Sequence, residues 1–369
     1  MGEPGALAPG GLGVYVHVPF CASRCDYCAF ATWTGISHLS SDYVDACLAE
    51  LRTAYSAGLG MASTVFFGGG TPSQMPAEEL VRLLAGISRE TKAEVTVECN
   101  PEDVTAELLS TYASAGVNRI SLGVQSLSAH VLSGLGRRHS PEAVPAAVAA
   151  IGEAGFATFS LDLIYGARSE TDRDWEATLQ GVLGLDPQPP HVSAYGLQAE
   201  PGTPLGRDPG RHPDDDVQAR RYEMADEVLE AAGLAWYEIS NWSRPGHECR
   251  HNQNYWRQGE YLGIGCAAHS HIAGRRFWNI RSPQRYMAAI SSKASAVAGE
   301  ERLEPEGRLV EALELAIRTR EGVEAGSLPE DEALLGLVAR ERGRAVLTRR
   351  GRLLANEVAC RLRPAVPTA

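Results

Sequence analysis

Residues 16–30 read VHVPFCASRCDYCAF, and three cysteines, Cys21, Cys25 and Cys28, follow a β-branched run that predicts a strand. Their spacing is C-x3-C-x2-C, close enough for all three thiolates to face one inorganic centre. Zinc usually takes four ligands, often as two C-x2-C pairs or with paired histidines. Three thiolates can instead hold three irons of a cubane cluster and leave the fourth iron free. The spacing therefore predicts a [4Fe-4S] cluster with an open site; unligated thiols, or zinc completed by a nearby histidine, remain the alternatives.

Six short apolar segments in the first 200 residues predict strands, each followed by loop residues and an amphipathic helical pattern. Such βαβ units favour a parallel barrel or a doubly wound sheet, in which ligands gather at the carboxyl ends of the strands. Polar and glycine-rich segments do follow these strands. We therefore expect the functional residues at one rim of the sheet, which the carboxyl ends of the strands form. The predicted strands are 14–18, 64–67, 94–98, 119–124, 158–163 and 191–195, and the predicted helices include 40–55, 76–91, 141–155 and 171–185.

The composition of the 369-residue chain limits its function. The net charge of −12 argues against bulk nucleic-acid binding. No run of about 18 uncharged apolar residues occurs, and MGEPGALAPGGLG at the start does not read as a signal peptide. We therefore expect a cytoplasmic protein, in which tight cysteine spacing indicates a metal or redox site. Residues 340–369 carry eight arginines, which predict a solvated face or, as the alternative, an arm that attracts phosphates or an anionic membrane surface.

Composition also predicts three parts. The stretch PGTPLGRDPGRHPDDD at 201–216 reads as a linker or surface loop. We predict a partial barrel over 1–207, a linker and accessory region over 208–300, and a small C-terminal helical domain over 301–369. The segment RAVLTRRGRLLANEV near the end predicts a hairpin and helix, as in a winged-helix fold.

With its cysteines on the first loop of a six-unit α/β protein, the chain resembles the radical S-adenosylmethionine superfamily. This resemblance implies a partial, TIM-like (β/α)6 barrel and S-adenosylmethionine chelated to the open iron. Tyr27 matches the aromatic residue that the family places against the adenine. The segment GGGTP at 68–72 follows the strand TVFF, and its glycines allow the backbone to approach the methionyl group closely. Gly69, Gly70 and Thr71 are therefore expected nucleotide contacts.

Further nucleotide contacts are implied by a resemblance to oxygen-independent coproporphyrinogen oxidases. In that family the matching residues contact the ribose hydroxyls, amine or carboxylate of the nucleotide. Each residue alone is also compatible with ordinary hydrogen bonding at a strand end. The five positions are Tyr15 in YVHVPFC, Glu98 in VECNPE, Gln125 in SLGVQS, Arg137 in GLGRRH and Asp162 in LDLIYG.

Two features depart from those oxidases. Phe30 stands where they carry a fourth cysteine, and the first predicted strand begins at about residue 14, without the long extension that helps to enclose porphyrinogen. Both departures count against decarboxylation of propionates. The motif HNQNYW at 251–256 instead resembles the HNxxYW hallmark of the HemW-type haem chaperones, a likeness that extends over the whole chain.

The HNxxYW resemblance implies a haem site with His251, Tyr255 and Trp256. An imidazole can be an axial ligand and aromatic faces pack against the macrocycle. The alternative is that His251 is a hydrogen-bonded core residue that anchors a turn. Cys249 and His269 lie near this motif in sequence. Cys47, Cys99, Cys249, Cys266 and Cys360 lack clustered partners, so no metal is assigned to them.

The preferred interpretation is a haem chaperone that binds a [4Fe-4S] cluster, S-adenosylmethionine and haem and delivers haem to an acceptor haemoprotein. The acceptor is expected in the respiratory chain, which would bring the protein to the membrane periphery. A homodimer is a further prediction. The alternative is a radical enzyme that decarboxylates coproporphyrinogen III or acts on another tetrapyrrole. The net charge of −12 disfavours a role in nucleic-acid modification.

Overall fold

The computed structural model describes residues 11–364. Most of the segment used to predict the absence of a signal peptide, and the last residues of the arginine-rich segment, lie outside the described residues. The strands are β1 Leu12–Val18, β2 Ala62–Gly69, β3 Arg89–Cys99, β4 Arg119–Gln125, β5 Thr158–Tyr165, β6 His191–Gly196, β7 Ala235–Glu238, β8 Asn241–Ser243, β9 Tyr261–Ile264, β10 His269–Ile272, β11 Arg275–Asn279, β12 Val297–Arg302, β13 Val323–Glu324, β14 Val338–Glu341 and β15 Arg344–Leu347. The helices are α1 Ser40–Ser56, α2 Ala77–Ala85, α3 Ala106–Ser114, α4 Ala129–Gly134, α5 Ala143–Glu153, α6 Asp172–Leu183, α7 Asp215–Ala231, α8 Arg250–Trp256, α9 Pro283–Ser291, α10 Pro305–Ala316, α11 Arg349–Leu353 and α12 Ala355–Ala359.

The six predicted strands form a parallel array in chain order, β1 to β6. This confirms the βαβ interpretation. One predicted helix is too long: α2 ends at Ala85 rather than near residue 91, because β3 already begins at Arg89. Gly86 lies directly after this helix, where an added Cβ would be 2.4 Å from the Leu48 side chain. Within residues 11–364, no helix is both long enough and apolar enough to span a lipid bilayer.

The parallel array is extended on both sides. Strand β9 pairs in parallel with β1, and β10, β11 and β12 continue antiparallel, while β8 and β7 follow β6 on the other side. The result is an open sheet of twelve strands in the described chain, with β12 and β7 outermost. The accessory region predicted at 208–300 therefore belongs to the same sheet as the first 207 residues. The three-part division of the chain stays a prediction.

Alternation along the strands separates an apolar outer face from a polar inner face. On β1, Val14, Val16 and Val18 are fully buried in the main hydrophobic core, whereas Tyr15 and His17 point to the opposite face. Directly paired residues on neighbouring strands share a face, and the pairing carries this inner face across the sheet. The polar side chains of these strands therefore lie together on the inner face of the sheet.

A second apolar core lies in the C-terminal part, where β13, β15 and β14 form a small sheet packed with α11 and α12. It is joined to α7 through Asp226, which is 3% exposed. The Asp226 carboxylate accepts hydrogen bonds from Trp242 Nε1 at 2.8 Å, Arg349 Nε at 2.5 Å and Arg352 Nη2 at 2.6 Å. These charged hydrogen bonds hold the pKa of Asp226 below its usual value despite burial. At least these two arginines of the basic segment therefore have partners within the protein.

Candidate functional site

The three cysteines lie on the loop after β1, and each is a half-buried free thiol. The backbone N–H of Cys28 donates to the carbonyl of Cys25 at 3.2 Å, so these two form one turn. The Cys21 sulfur lies 3.5 Å from Thr71 Oγ1, and the Cys25 sulfur lies 3.6 Å from Arg137 Nη1. Partial burial raises the pKa of Cys21 and of Cys28. The cluster loop thus faces the ends of β2 and β4.

The thiols fit a multi-iron cluster better than a single ion. Zinc holds thiolates at about 2.3 Å, which would draw their sulfurs into mutual contact. Three separate, solvent-reachable thiols on one loop suit a cluster whose irons are ligated one by one. Assignment of Cys21, Cys25 and Cys28 as its ligands stays a prediction.

The glycines after β2 are required by close packing. Gly69 has φ +107°, and an added Cβ would lie 2.4 Å from His17 Nδ1. At Gly70 a Cβ would lie 2.6 Å from the carbonyl oxygen of Phe20. The backbone N–H groups of Gly70 and Thr71 donate to Val18 and Phe20 at 2.7 and 2.8 Å. The GGGTP segment is therefore fastened to the start of the cluster loop.

Two predicted carboxylates, Glu98 and Asp162, lie on the inner face. Glu98 Oε2 accepts from the Gly69 N–H at 3.2 Å. Burial and the nearby negative charge of Asp162 raise the pKa of Glu98 to about 8. Asp162 accepts from Ser121 Oγ at 2.6 Å and Ser193 Oγ at 2.7 Å, and burial raises its pKa. Neither serine was predicted, although both stand at alternate inner positions of β4 and β6.

Arg137 links the cluster loop to the strand ends. Its Nη2 donates to Asn100 Oδ1 at 2.8 Å and to the Gly123 carbonyl at 3.1 Å. Gln125 ends β4 with φ +64°, a left-handed conformation that is rare for residues other than glycine. Tyr27 packs against the apolar cluster that includes Val131 and Leu135, and burial raises its pKa. Asn100 is a site residue that sequence reasoning missed, although it stands in the quoted VECNPE motif.

Tyr15 lies on the inner face of β1 beside Phe66 of β2, and it also lines a cavity next to the cluster loop. Its hydroxyl is 3.2 Å from His17 Nδ1, and its ring stacks on Phe66 with centroids 6.3 Å apart. Burial, with the charge of Glu98 as a smaller cause, raises the pKa of Tyr15. Direct contacts therefore join Cys21 to Thr71 and Cys25 to Arg137. Tyr15 lies on the same inner face of the sheet and reaches this region through His17, which packs against Gly69.

The HNxxYW motif forms α8, and its histidine is a packed residue. His251 is 1% exposed, with Nδ1 2.8 Å from Thr64 Oγ1 and Nε2 2.8 Å from the Tyr255 hydroxyl. Its ring stacks on Phe66 with centroids 5.2 Å apart, and burial lowers its pKa to about 3. Ligation of iron by His251, which stays a prediction, requires one of the two ring nitrogens to leave its hydrogen-bond partner. Trp256 lines a separate cavity of about 210 Å³, so the motif does not form one pocket.

A cavity of about 550 Å³, here called the histidine cavity, lies beside the cluster loop. It adjoins Phe30, whose side chain is 65% exposed. The sequence analysis named Tyr15, Phe30, Tyr255 and His269 for separate reasons but did not predict that they share a cavity, because the cavity depends on strands β9 to β11 lying beside β1. Its walls include Tyr15, His17, Phe30, Tyr255, Tyr261, His269, His271, Arg276 and Arg281.

Comparisons with known proteins identify the family and the fold that this chain resembles. Residues 15–181 match the family described as the Radical SAM superfamily. The haem chaperone HemW of Mycobacterium tuberculosis H37Rv is 43% identical over 369 residues, covering 94% of this chain and 93% of the relative. The HemW of Bacillus subtilis is 33% identical, covering 93% of this chain and 97% of the relative. Coproporphyrinogen III oxidase HemN of Escherichia coli, described as a radical SAM enzyme, superposes with a TM-score of 0.84 at 21% identity, covering 95% of this chain and 90% of that one. This likeness confirms the predicted fold.

Proposed function

Because the chain belongs to the HemW family within the radical S-adenosylmethionine superfamily, we propose that it is a haem chaperone that binds haem and passes it to an acceptor haemoprotein. The observation that supports the proposal most directly is the histidine cavity. It combines imidazoles, tyrosine rings and guanidinium groups beside the cluster loop. Imidazoles suit the iron, aromatic faces suit the macrocycle, and cations suit its carboxylates.

The superfamily implies a [4Fe-4S] cluster and S-adenosylmethionine. When bound, this pair supplies one-electron chemistry at the sulfonium. We propose that Cys21, Cys25 and Cys28 hold the cluster. For the nucleotide we propose contacts with the nine residues predicted from the sequence: Tyr15, Tyr27, Gly69, Gly70, Thr71, Glu98, Gln125, Arg137 and Asp162.

The charges of the proposed nucleotide site suit a zwitterionic ligand. Arg137 is a cation beside Cys25, whereas Glu98 and Asp162 are carboxyl groups whose burial favours the protonated form. A cationic amine placed against Glu98 would favour the carboxylate and lower its pKa. The proposed arrangement therefore directs the negative end of the ligand to Arg137 and the positive end to Glu98.

In this proposal the cluster and nucleotide regulate folding, dimerisation or docking rather than turnover. The protein is proposed to be cytoplasmic and to meet its acceptor, a respiratory haemoprotein, at the membrane periphery. His251, Tyr255 and Trp256 remain proposed haem contacts through their motif.

A haem-transfer assay tests the function. The purified chain, loaded with haem, is mixed with an apo-haemoprotein, and the absorbance of the acceptor is followed. Transfer faster than from free haem or haem-loaded albumin supports the chaperone. A chain that binds no haem would contradict it. Loss of iron and sulfide in Cys21→Ser, but not in Cys360→Ser, tests the cluster loop with an exposed cysteine as control.

The enzyme alternative is favoured by one observation, the retention of a HemN-like fold over nearly the whole chain. Anaerobic, reconstituted protein with a reductant and coproporphyrinogen separates the two functions. Release of 5′-deoxyadenosine that depends on the porphyrinogen, together with protoporphyrinogen, would establish the enzyme. Its absence, with haem transfer intact, supports the chaperone.

A further inference from the structure

The register of the accessory strands places a set of haem-compatible side chains on one face. His269 pairs with Trp278, and His271 pairs with both Arg276 and Tyr261. Because directly paired residues share a face of the sheet, these side chains form one continuous surface. This surface continues the inner face of β1 and forms one wall of the histidine cavity.

The opposite walls come from other parts of the chain. Phe30 and its neighbours on the cluster loop close one side, and Glu311 and Leu315 of the α10 region close another. The volume of about 550 Å³ lies within the range of about 300–1,000 Å³ that is usual for ligand sites. The cavity is thus large enough for a ligand well beyond the size of water or an ion.

Among the cavity histidines, His269 is the one whose nitrogens are open. Its side chain is exposed, and its ring stacks on Trp278 with centroids 5.6 Å apart and planes 24° apart. Partial burial lowers its pKa, which favours the neutral imidazole that binds metals. His17, in contrast, is engaged at both nitrogens, by Tyr15 and by the Ala31 carbonyl at 2.8 Å.

A second histidine of this wall, His271, is enclosed by the protein. His271 is 3% exposed, and its Nδ1 lies 3.2 Å from the Gly259 carbonyl. Its Nε2 is buried and has no hydrogen-bond partner in the described residues. Of these two histidines, the exposed His269 is therefore the one that a ligand in the cavity can reach.

One cation of the cavity also lacks a carboxylate. Arg276 is paired with Glu301 at 3.1 Å and with Glu311. Arg281 donates to the Ala29 carbonyl at 3.3 Å, and no acidic group within residues 11–364 forms an ion pair with it. A guanidinium of this kind suits a carboxylate supplied by the ligand.

We propose that the histidine cavity holds the haem cargo, with His269 as the axial ligand of the iron and Arg281 paired with a propionate. This inference rests on the proposed function. It differs from the motif-based site because His251 is engaged at both nitrogens, whereas His269 is not.

Ferric haem titration of the full chain, followed by Soret absorbance, tests the ligand. His269→Ala should weaken binding by at least about 10-fold, because loss of a residue that only supports a metal ligand already costs about 10–100-fold, and it should shift the Soret band. His130→Ala, at an exposed histidine on α4, is the control and should bind like wild type. His269→Met should fold equally and give a different ligation spectrum. Thermal melts verify folding of each variant.

Haem dimethyl ester tests the carboxylate contact. Wild type should bind the ester more weakly than haem, and Arg281→Gln should lose this preference. Arg285→Gln, which changes an exposed arginine outside the cavity wall, should keep it. If the wild-type protein binds no haem, the proposed function itself is wrong. Wild type that binds haem, with unchanged affinity and spectrum in both His269 variants, overturns the inference alone.

Discussion

Replacing His251 by alanine should destabilise the fold strongly. The change removes a ring bonded to Thr64 and Tyr255 at 2.8 Å each and stacked on Phe66. The Thr64 hydroxyl, left unpaired in the interior, costs about 1–3 kcal/mol, whereas the half-buried Tyr255 lines the histidine cavity, where its hydroxyl can bond to water. Lost packing adds to this. We therefore expect the free energy of unfolding to fall by at least about 3 kcal/mol, while the variant stays folded in buffer.

Urea unfolding followed by circular dichroism measures this effect. Thr64→Val, which leaves one imidazole nitrogen unpaired, should lose about 1–3 kcal/mol. His130→Ala, at an exposed histidine, should remain within about 0.5 kcal/mol of wild type. A His251→Ala variant with an unchanged midpoint, together with a lost Soret band on haem titration, would refute the packed role and restore His251 as an iron ligand.

Three further predictions concern stability. Gly69→Ala should lower the melting temperature more than Gly58→Ala, because both have positive φ but only at Gly69 does the new methyl meet a histidine ring at 2.4 Å. Asp226→Ala should cost about 3–5 kcal/mol, because it leaves a buried arginine unpaired, whereas Glu227→Ala, at the exposed neighbour, should cost under about 1 kcal/mol. Wild type should lose stability as pH falls from about 6.5 towards about 3, because His251, whose folded pKa is about 3, takes up a proton first in the unfolded chain. His251→Ala should show a shallower loss over this window, measured by melts at several pH values.

Local sequence patterns predicted the six parallel strands well, since each is a β-branched run with loop residues after it. They overextended α2, because its helical spacing continues into residues that pair with β2 instead. Sheet pairing is a tertiary effect that a local pattern does not contain.

The same distinction applies to the site. The cysteine spacing and strand-end motifs located the rim, because strand ends of a parallel sheet converge. Ser193 and Asn100 were missed because their roles depend on partners distant in sequence, Asp162 and Arg137. The histidine cavity was missed because it exists only once β9 pairs with β1 and reverses into β10.

The extension of the sheet beyond β1 also affects whether two copies of the chain can pair through their edge strands. The outermost strand on that side, β12, ends in Glu300, Glu301 and Arg302, all exposed. Glu300 and Glu301 accept hydrogen bonds from Arg275 and Arg276 of β11, so this edge of the sheet carries charges of both signs. Charged outer strands oppose the addition of a further strand. Pairing of two copies of the chain edge to edge through β12 is therefore disfavoured.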